Sequence, residues 1–252
     1  MPCGGGNLLF YGIIAPGIPN SLCKRNCSMK EQQESPWRIG WAAVKKNTLP
    51  MVVLWVVAAA TVFAYYTISA VATALEPFAR WQRDAGWIAA FLNRVLFCGL
   101  IPGVFIVCVK SLRPKRVAVV IVAQTLWSGI CGVLSDCMFS FNARIFGTGV
   151  DFLTLCVKTS VCQFVWTPLI FAPLGSIVYF WIGRDFSVAR FRSEMPSRFY
   201  YGLVLPNLFV NWVLWIPVTF AIHMFPTPLQ IQLSGMASAL FSLMLLAIGS
   251  DR

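Results

Sequence analysis

Charged residues, and acidic residues above all, are scarce in this sequence. Only 12% of the 252 residues are charged, and just nine are Asp or Glu, whereas an average soluble domain is roughly 25% charged. Hydrophobic residues make up 58% of the chain, and the mean hydropathy is +0.72. Such a composition cannot cover the surface of a water-soluble fold, so the sequence predicts an integral membrane protein.

Histidine and the common catalytic motifs are nearly absent as well. The chain has one His and no GxxxxGK(S/T) loop, GxGxxG turn, nucleophile elbow or HExxH pattern. Most of its nine Cys fall inside apolar stretches, where Cys behaves as a small buried hydrophobe, and the others have no partners at zinc-ligand spacing. We therefore expect no metal, no cofactor and no enzyme activity.

Basic residues, in contrast, are plentiful. The chain has 20 Lys and Arg and a net charge of +11. Nucleic-acid binding would require a basic face on a soluble domain, and no soluble stretch extends beyond the first 48 residues. Basic clusters between long apolar runs are instead typical of loops on the cytosolic side of a membrane. The expected partner is the lipid bilayer and not nucleic acid.

Six apolar stretches are long enough to cross a bilayer, which takes about 20 residues. The predicted fold class is an all-α integral membrane protein, with a transmembrane helical bundle at 49–250. A flexible tail at 1–34 and an amphipathic interfacial helix at 35–48 precede the bundle. Met29 is an alternative translation start. The predicted spans are 49–75, 87–109, 117–141, 152–182, 199–225 and 229–250.

Six crossings put both chain ends on one side of the membrane. That side has fifteen Lys and Arg and the other side has four. Because basic residues concentrate on the inside, both termini are predicted to lie on the positive-inside face. Arg94 interrupts the second span, so either it reaches back to the headgroups or the helix begins after it. The first two spans are interpreted as anchoring and packing elements.

Two ionisable residues lie within the predicted spans, where a charge is costly. Asp136 is five residues before the end of the third span, and Lys158 is six residues after the start of the fourth. The hairpin would hold both at similar depth, about 8 to 9 Å from the helix ends. Two interpretations remain open: a mutually neutralising pair that docks two helices, or groups that line or gate a polar path.

Uncharged polar residues follow regular patterns in the fourth and fifth spans. Thr159, Gln163 and Thr167 recur every four residues, and Asn207 and Asn211 do so in the next span. Such stripes either join helices by hydrogen bonds or line a wet cavity. Prolines in the same spans should kink the helices and free backbone carbonyls that then need other donors. The predicted kinks are at Pro168, Pro206 and Pro217.

Several of these residues together resemble the Mpv-seventeen and peroxisomal-membrane-protein family of small helical membrane proteins. In that family a Lys-x4-Gln-x4-Pro helix occurs, matched here by Lys158, Gln163 and Pro168. Asp136 falls where the family's WYxxLD-like motif ends, although the WY pair is absent here. The likeness covers about residues 93–250.

The resemblance continues in the fifth span. The family has a Pro, Asn-Phe, Pro segment before its final helix, and this chain has Pro206 and Pro217 around Asn211 and Trp212. Trp212 stands in place of the family's Phe, and the Asn is displaced by one residue. The first span and its basic lead-in look like an addition to the smaller family core.

The resemblance implies a weakly selective pore for small solutes or ions in an organelle membrane, either the mitochondrial inner or the peroxisomal membrane. A bacterial inner membrane and a homo-oligomer both remain open. The alternative function is a non-conducting scaffold or assembly factor, in which the polar groups only dock helices. A membrane-embedded enzyme would need a cluster of catalytic side chains that the sequence does not offer. The candidate pore-lining or helix-docking residues are Asp136, Lys158, Thr159, Gln163, Thr167, Asn207 and Asn211.

Overall fold

The computed structural model describes residues 36–109, 112, 114 and 116–250. Helices account for nearly all of these residues and no strand occurs among them, which confirms the all-α fold class. The predicted tail at 1–34 and the alternative start at Met29 lie outside the described residues. The helices are α1 (Pro36–Lys46), α2 (Thr48–Thr67), α3 (Ser69–Ala85), α4 (Trp87–Cys108), α5 (Val117–Phe146), α6 (Phe152–Ile182), α7 (Val188–Glu194), α8 (Tyr200–His223) and α9 (Thr227–Ser250).

Six of these helices, α2, α4, α5, α6, α8 and α9, are long and apolar enough to cross a membrane. In their apolar windows the mean hydropathy is 1.5 to 2.1, yet only 22 to 56% of the residues are buried inside the bundle. Large apolar side chains therefore face outward, among them Phe63, Phe152 and Leu169, which are 69 to 75% exposed. Lipid chains can cover such a surface, whereas water cannot do so without a large penalty. The chain is an integral membrane protein built as a bundle of six spans.

The last helix, α9, lies at the centre of the bundle. It is the most buried span, and it packs against α2, α3, α4, α5 and α8. Leu229, Ile231 and Leu246 are almost fully buried on it, and so are Gln230 and Gln232. Buried amides in a membrane helix need polar partners on neighbouring helices. The polar groups of several helices therefore gather around α9.

The first span is shorter than the sequence predicted. The apolar run at 49–75 predicts one helix, but α2 ends at Thr67 and Ile68 has extended backbone. The twenty residues of α2 already cover about 30 Å, which is enough to cross the hydrocarbon. The remaining apolar residues belong to α3, which buries Ala79 and Gln82 and leaves Glu76 exposed.

The helix that precedes the first span, α1, is amphipathic and packs against α8. Ala43 and Val44 are buried, and the charged residues of α1 are exposed. The rings of Trp37 and Trp41 meet Phe209 of α8, with centroids 5.5 and 6.1 Å apart. The location of α1 at the membrane interface stays a prediction.

The fourth span, α6, is irregular at its centre, where a π-helical stretch at Cys162–Phe171 contains Pro168. In a π-helix, residue 168 would donate its N–H to the carbonyl of Gln163, five positions earlier, but proline has no N–H. Trp212 Nε1 of α8 donates to that carbonyl instead, at 2.7 Å. The neighbouring helix thus replaces the bond that the proline cannot make.

Candidate functional site

The polar residues predicted on the fourth span are all turned into the bundle. Lys158, Thr159, Gln163 and Thr167 of α6 are each buried, with at most 8% of the residue exposed. Gln163 and Thr167, four residues apart, lie in the π-helical stretch, and Lys158 and Thr159 lie in the α-helical turns before it. Thr159 Oγ1 has no hydrogen-bond partner among the described residues. The helix therefore presents one polar face to the interior.

Gln163 connects this face to α8 through both ends of its amide. Its Nε2 donates to Thr219 Oγ1 at 2.9 Å, and its Oε1 accepts from Asn211 Nδ2 at 3.2 Å. Asn207 lies one turn from Asn211, and its Nδ2 donates to a carbonyl of its own helix at 2.8 Å. The structure thus brings the candidates of the fourth and fifth spans together.

Asp136 and Lys158, which sequence analysis placed at similar depth on neighbouring spans, have separate partners. Asp136 Oδ1 accepts from Gln82 Nε2 at 2.9 Å. Lys158 Nζ donates to the carbonyl of Gly149 at 3.3 Å. The ion pairs found in the described part of the chain do not include either residue. The interpretation as a mutually neutralising pair is therefore wrong for this conformation.

The reason for the mismatch is the length of α5. This helix runs to Phe146 and not to position 141, so Asp136 is ten residues from its end. The residue of α5 that lies beside Lys158 is Asn142, whose Nδ2 is 3.5 Å from the Lys158 carbonyl. Asp136 is six residues further along α5, which is about 9 Å.

Asp136 belongs instead to a chain of amides that joins α3, α4, α5 and α9. Gln82, its donor, accepts through Oε1 from Gln232 Nε2 at 2.9 Å. Gln232 Oε1 in turn accepts from Asn93 Nδ2 at 2.5 Å. We call Gln82, Asn93, Asp136 and Gln232 the amide cluster. Of its members only Asp136 was predicted as a site residue, although Asn93 and Gln232, uncharged polar residues inside two apolar spans, were a usable signal.

Arg94 is the second residue that sequence analysis placed differently. It does not reach back to the headgroups but points toward α9. Its Nη1 donates to Ser238 Oγ at 2.8 Å and its Nη2 to Ser234 Oγ at 3.0 Å. Nη1 also lies 3.5 Å from Cys98 Sγ. Its Nε is buried and has no hydrogen-bond partner in the described structure.

Arg94 lines a partly open cavity of about 290 Å³ between α4, α5, α6, α8 and α9, which we call the Arg94 cavity. The cavity extends toward Ile106, Tyr179 and Leu246, close to the ends of three of these helices. None of the described residues that line it is Asp or Glu. Its polar lining residues are Arg94, Gln124, Ser128, Thr167, Ser176, Tyr179, Asn207, Asn211, Ser238 and Ser242.

A second cavity of about 450 Å³, which we call the Lys158 cavity, lies at the opposite end of the bundle. Segments from α2, the α5–α6 connection and the α8–α9 turn surround it, and its described lining also has no Asp or Glu. Its lining residues are Tyr65, Tyr66, Thr148, Val150, Lys158, Met224, Phe225, Pro226, Thr227, Pro228 and Gln230.

Asp151 follows the lining residue Val150 in the sequence and is the N-cap residue of α6. It accepts a hydrogen bond from the Thr154 N–H at 3.0 Å. This bond, and after it one from the Thr154 hydroxyl, holds the pKa of Asp151 below its usual value, with a minor contribution from Lys158. Asp151 is therefore an exposed cap and not a partner within 4 Å of the lysine.

Buried side chains separate the two cavities. Asn142 Nδ2 donates to Cys162 Sγ at 2.9 Å, and Cys162 Sγ is 3.8 Å from His223 Nε2. His223 Nδ1 lies 2.8 Å from the Thr219 carbonyl. This cluster, together with the Gln163 amide, fills the middle of the bundle. The described residues include no group of three His, Cys, Asp or Glu positioned to hold a metal ion.

No family model, curated protein or solved structure with which the chain was compared matches it.

Proposed function

We propose that this membrane protein is a weakly selective channel or pore for small solutes or ions. The observation that supports this most directly is the pair of cavities at opposite ends of the six-span bundle, each with a cation and several other polar side chains in its otherwise apolar lining. A helical bundle that serves only as an anchor has no physical need for cavities lined by amides, hydroxyls and cations, because such groups are costly in hydrocarbon.

The polar face of α6 supplies a route between the cavities. Thr167 lines the Arg94 cavity and Lys158 lines the other, nine residues apart, with Gln163 between them. That separation is about 13 Å along the helix. In the described conformation Gln163 and its partner Thr219 are buried and bonded to each other, so on this proposal they close the narrow section between the two cavities.

The resemblance to the Mpv-seventeen and peroxisomal-membrane-protein family favours the same function. It also favours an organelle membrane, mitochondrial inner or peroxisomal, as the location, with both termini on the positive-inside face. A bacterial inner membrane fits the same composition. Of the residues shared with that family, Gln163 lies between the two cavities, Lys158 lines one of them, and Pro168 lies within the π-helical stretch of the same helix.

The proposal is tested by recording currents from the purified chain in planar bilayers. We expect discrete conductance for the wild type. Gln163→Ala should raise the unitary conductance about twofold, because the resistance of a pore concentrates at its narrowest section. The matched control is Leu169→Ala, on the same helix but 70% exposed toward lipid, which should leave the conductance unchanged. A folded wild-type protein without conductance would contradict the proposal.

A scaffold or assembly factor is the second candidate, and the amide cluster favours it. The bonds from Gln82 to Asp136 and Gln232 fix the relative positions of three helices without lining either cavity. This function predicts a stable partner that copurifies with the native protein and no conductance in the bilayer experiment.

A further inference from the structure

We infer that the Arg94 cavity is a binding site for small oxyanions, meaning carboxylates or phosphate, with Arg94 as the residue that holds them. The inference deepens the proposed function, since it gives the charge and chemical class of the solute. Any role in conduction rests on the proposed function, whereas binding to the cavity does not.

The first argument is that the charge of Arg94 has no anionic partner in the described structure. Its Nη atoms donate to Ser234 and Ser238, which are neutral. The hydroxyls of those serines donate onward to the carbonyls of Ile231 and Ser234, each at 2.8 Å. Nε is buried without a partner. A guanidinium inside a membrane is normally neutralised by an acid, so an external anion would complete this site.

The second argument is the chemistry of the cavity wall. All of its described polar residues other than Arg94 are neutral, and Asp136, the closest acid along α5 to the lining residue Cys131, is held by Gln82 outside the cavity. A planar guanidinium matches the two oxygens of a carboxylate or phosphate. A volume of about 290 Å³ lies at the lower end of the range for small-ligand pockets. The site therefore fits a small oxyanion and not a lipid-sized molecule.

The third argument is the charge around the cavity. The segment 183–198, which connects helices at this end of the bundle, contains four Arg and two acidic residues; the acids pair with Arg184 and Arg190, and the segment keeps a net positive charge. A positive mouth raises the local concentration of anions. The Lys158 cavity at the other end likewise has one cation and no acid in its described lining. A solute crossing the bundle would meet positive charge at both ends.

The native cysteines allow a test that needs no conductance. Cys98 lines the cavity, whereas Cys108 on the same helix is exposed and does not line it. Full-length protein in maltoside detergent is treated with methanethiosulfonate reagents of similar size that carry either a sulfonate or a trimethylammonium group. Mass spectrometry of the peptides then measures how much of each cysteine each reagent has modified. Because local charge steers association at least tenfold, about a tenfold preference for the sulfonate reagent is expected at Cys98.

The variants decide whether Arg94 causes this preference. Arg94→Gln should bring the reagent ratio at Cys98 close to unity without changing the ratio at Cys108, and Arg94→Lys, which keeps the charge, should retain the preference. A wild-type ratio near unity, or a preference unchanged in Arg94→Gln, would overturn the inference. If Arg94→Gln does not fold, the wild type and Arg94→Lys decide alone, and a ratio near unity in either overturns it.

A second measurement identifies the ligand class. We expect sodium acetate or inorganic phosphate to raise the melting temperature of the wild type saturably, relative to sodium chloride at equal ionic strength, because a ligand that binds the folded state stabilises it. The rise should disappear in Arg94→Gln. Stabilisation by anionic phospholipid alone would overturn the inference. Anion binding without conductance would refute the pore but keep this site. Conductance without stabilisation by acetate or phosphate would keep the pore but refute this site.

Discussion

At the residue scale, an amide and not a cation is the partner of Asp136, which is partly buried between helices. Gln82 donates one N–H to the carboxylate and another to the carbonyl of Gly86, at 2.9 and 3.0 Å. Its own oxygen accepts from Gln232, so every polar atom of this amide has a partner. A fully bonded amide of this kind can hold a carboxyl group between helices without a counter-ion.

Because Asp136 and Lys158 have separate partners, their substitutions should act independently. We expect the changes in unfolding free energy of Asp136→Asn and Lys158→Gln to add in the double variant within about 0.5 kcal/mol, as they do for residues without shared partners. The measurement is a double-mutant cycle by reversible unfolding in mixed micelles.

The control cycle uses two residues that do touch. Gln82→Ala and Asp136→Ala remove the two ends of one hydrogen bond, and residues in contact show couplings of about 0.5 to 3 kcal/mol. If the double variant of Asp136 and Lys158 recovers stability lost in the single variants, the two residues pair in solution and the separation described above is incorrect.

The residues of the site were only partly predictable. Spacing alone put Gln163 and Asn211 inside the bundle, and they bond to each other. Arg94 was missed because the sequence does not reveal which way a helix faces. It is the eighth residue of α4, about 11 Å from the helix start, and its guanidinium bonds to the hydroxyls of Ser234 and Ser238 on α9.

At the scale of the element, α6 shows how a proline shapes a membrane helix. Pro168 leaves the Gln163 carbonyl without its backbone donor, and Trp212 of α8 supplies one. The hydroxyl of Thr167 bonds to the carbonyl of Cys162 at 2.9 Å within the same stretch. These side chains donate hydrogen bonds to backbone carbonyls of the π-helical stretch. The conformation of the stretch therefore depends on the position of α8, which provides Trp212.

Trp212→Phe should therefore destabilise the protein, because it leaves the Gln163 carbonyl unpaired. The expected loss is about 1 to 3 kcal/mol, the cost of an unsatisfied buried polar group. Pro168→Ala in the same chain restores an N–H that can reach this carbonyl, so the double variant should lose less than Trp212→Phe alone. Thermal unfolding in detergent measures both variants.

Trp87→Phe is the control for the ring change, since Trp87 is 62% exposed and should tolerate it. Equal losses for Trp212→Phe with and without Pro168→Ala would show that the indole acts by packing and not by its hydrogen bond.

Helix number followed from the sequence, whereas some helix ends did not. Apolar run length predicted six spans because about 20 apolar residues are both necessary and sufficient to cross. Hydropathy cannot locate a break inside an apolar run, so the extended residue at Ile68 was not foreseen. Nor can it show that a helix continues through polar residues, as α5 does through Asn142 and Arg144 to Phe146.

At the scale of the whole molecule, the number of crossings between two short helices determines whether they lie on the same side of the membrane. The chain crosses once in α2 before reaching α3, and it crosses three more times in α4, α5 and α6 before α7. Helices α3 and α7 therefore lie on opposite sides of the membrane. The basic segments next to α7 predict that it lies on the positive-inside face.

Two exposed arginines make this arrangement measurable. Arg80 of α3 and Arg190 of α7 have 67% and 62% of their side chains exposed, so neither cysteine substitution should disturb the fold. In sealed right-side-out vesicles, an impermeant maleimide should modify Arg80→Cys, and it should reach Arg190→Cys only after the vesicles are permeabilised. Wild-type protein gives the background from native cysteines. Labelling of both variants in sealed vesicles would contradict an odd number of crossings between α3 and α7. Modification of Arg190→Cys alone would be consistent with six spans but would reverse their orientation.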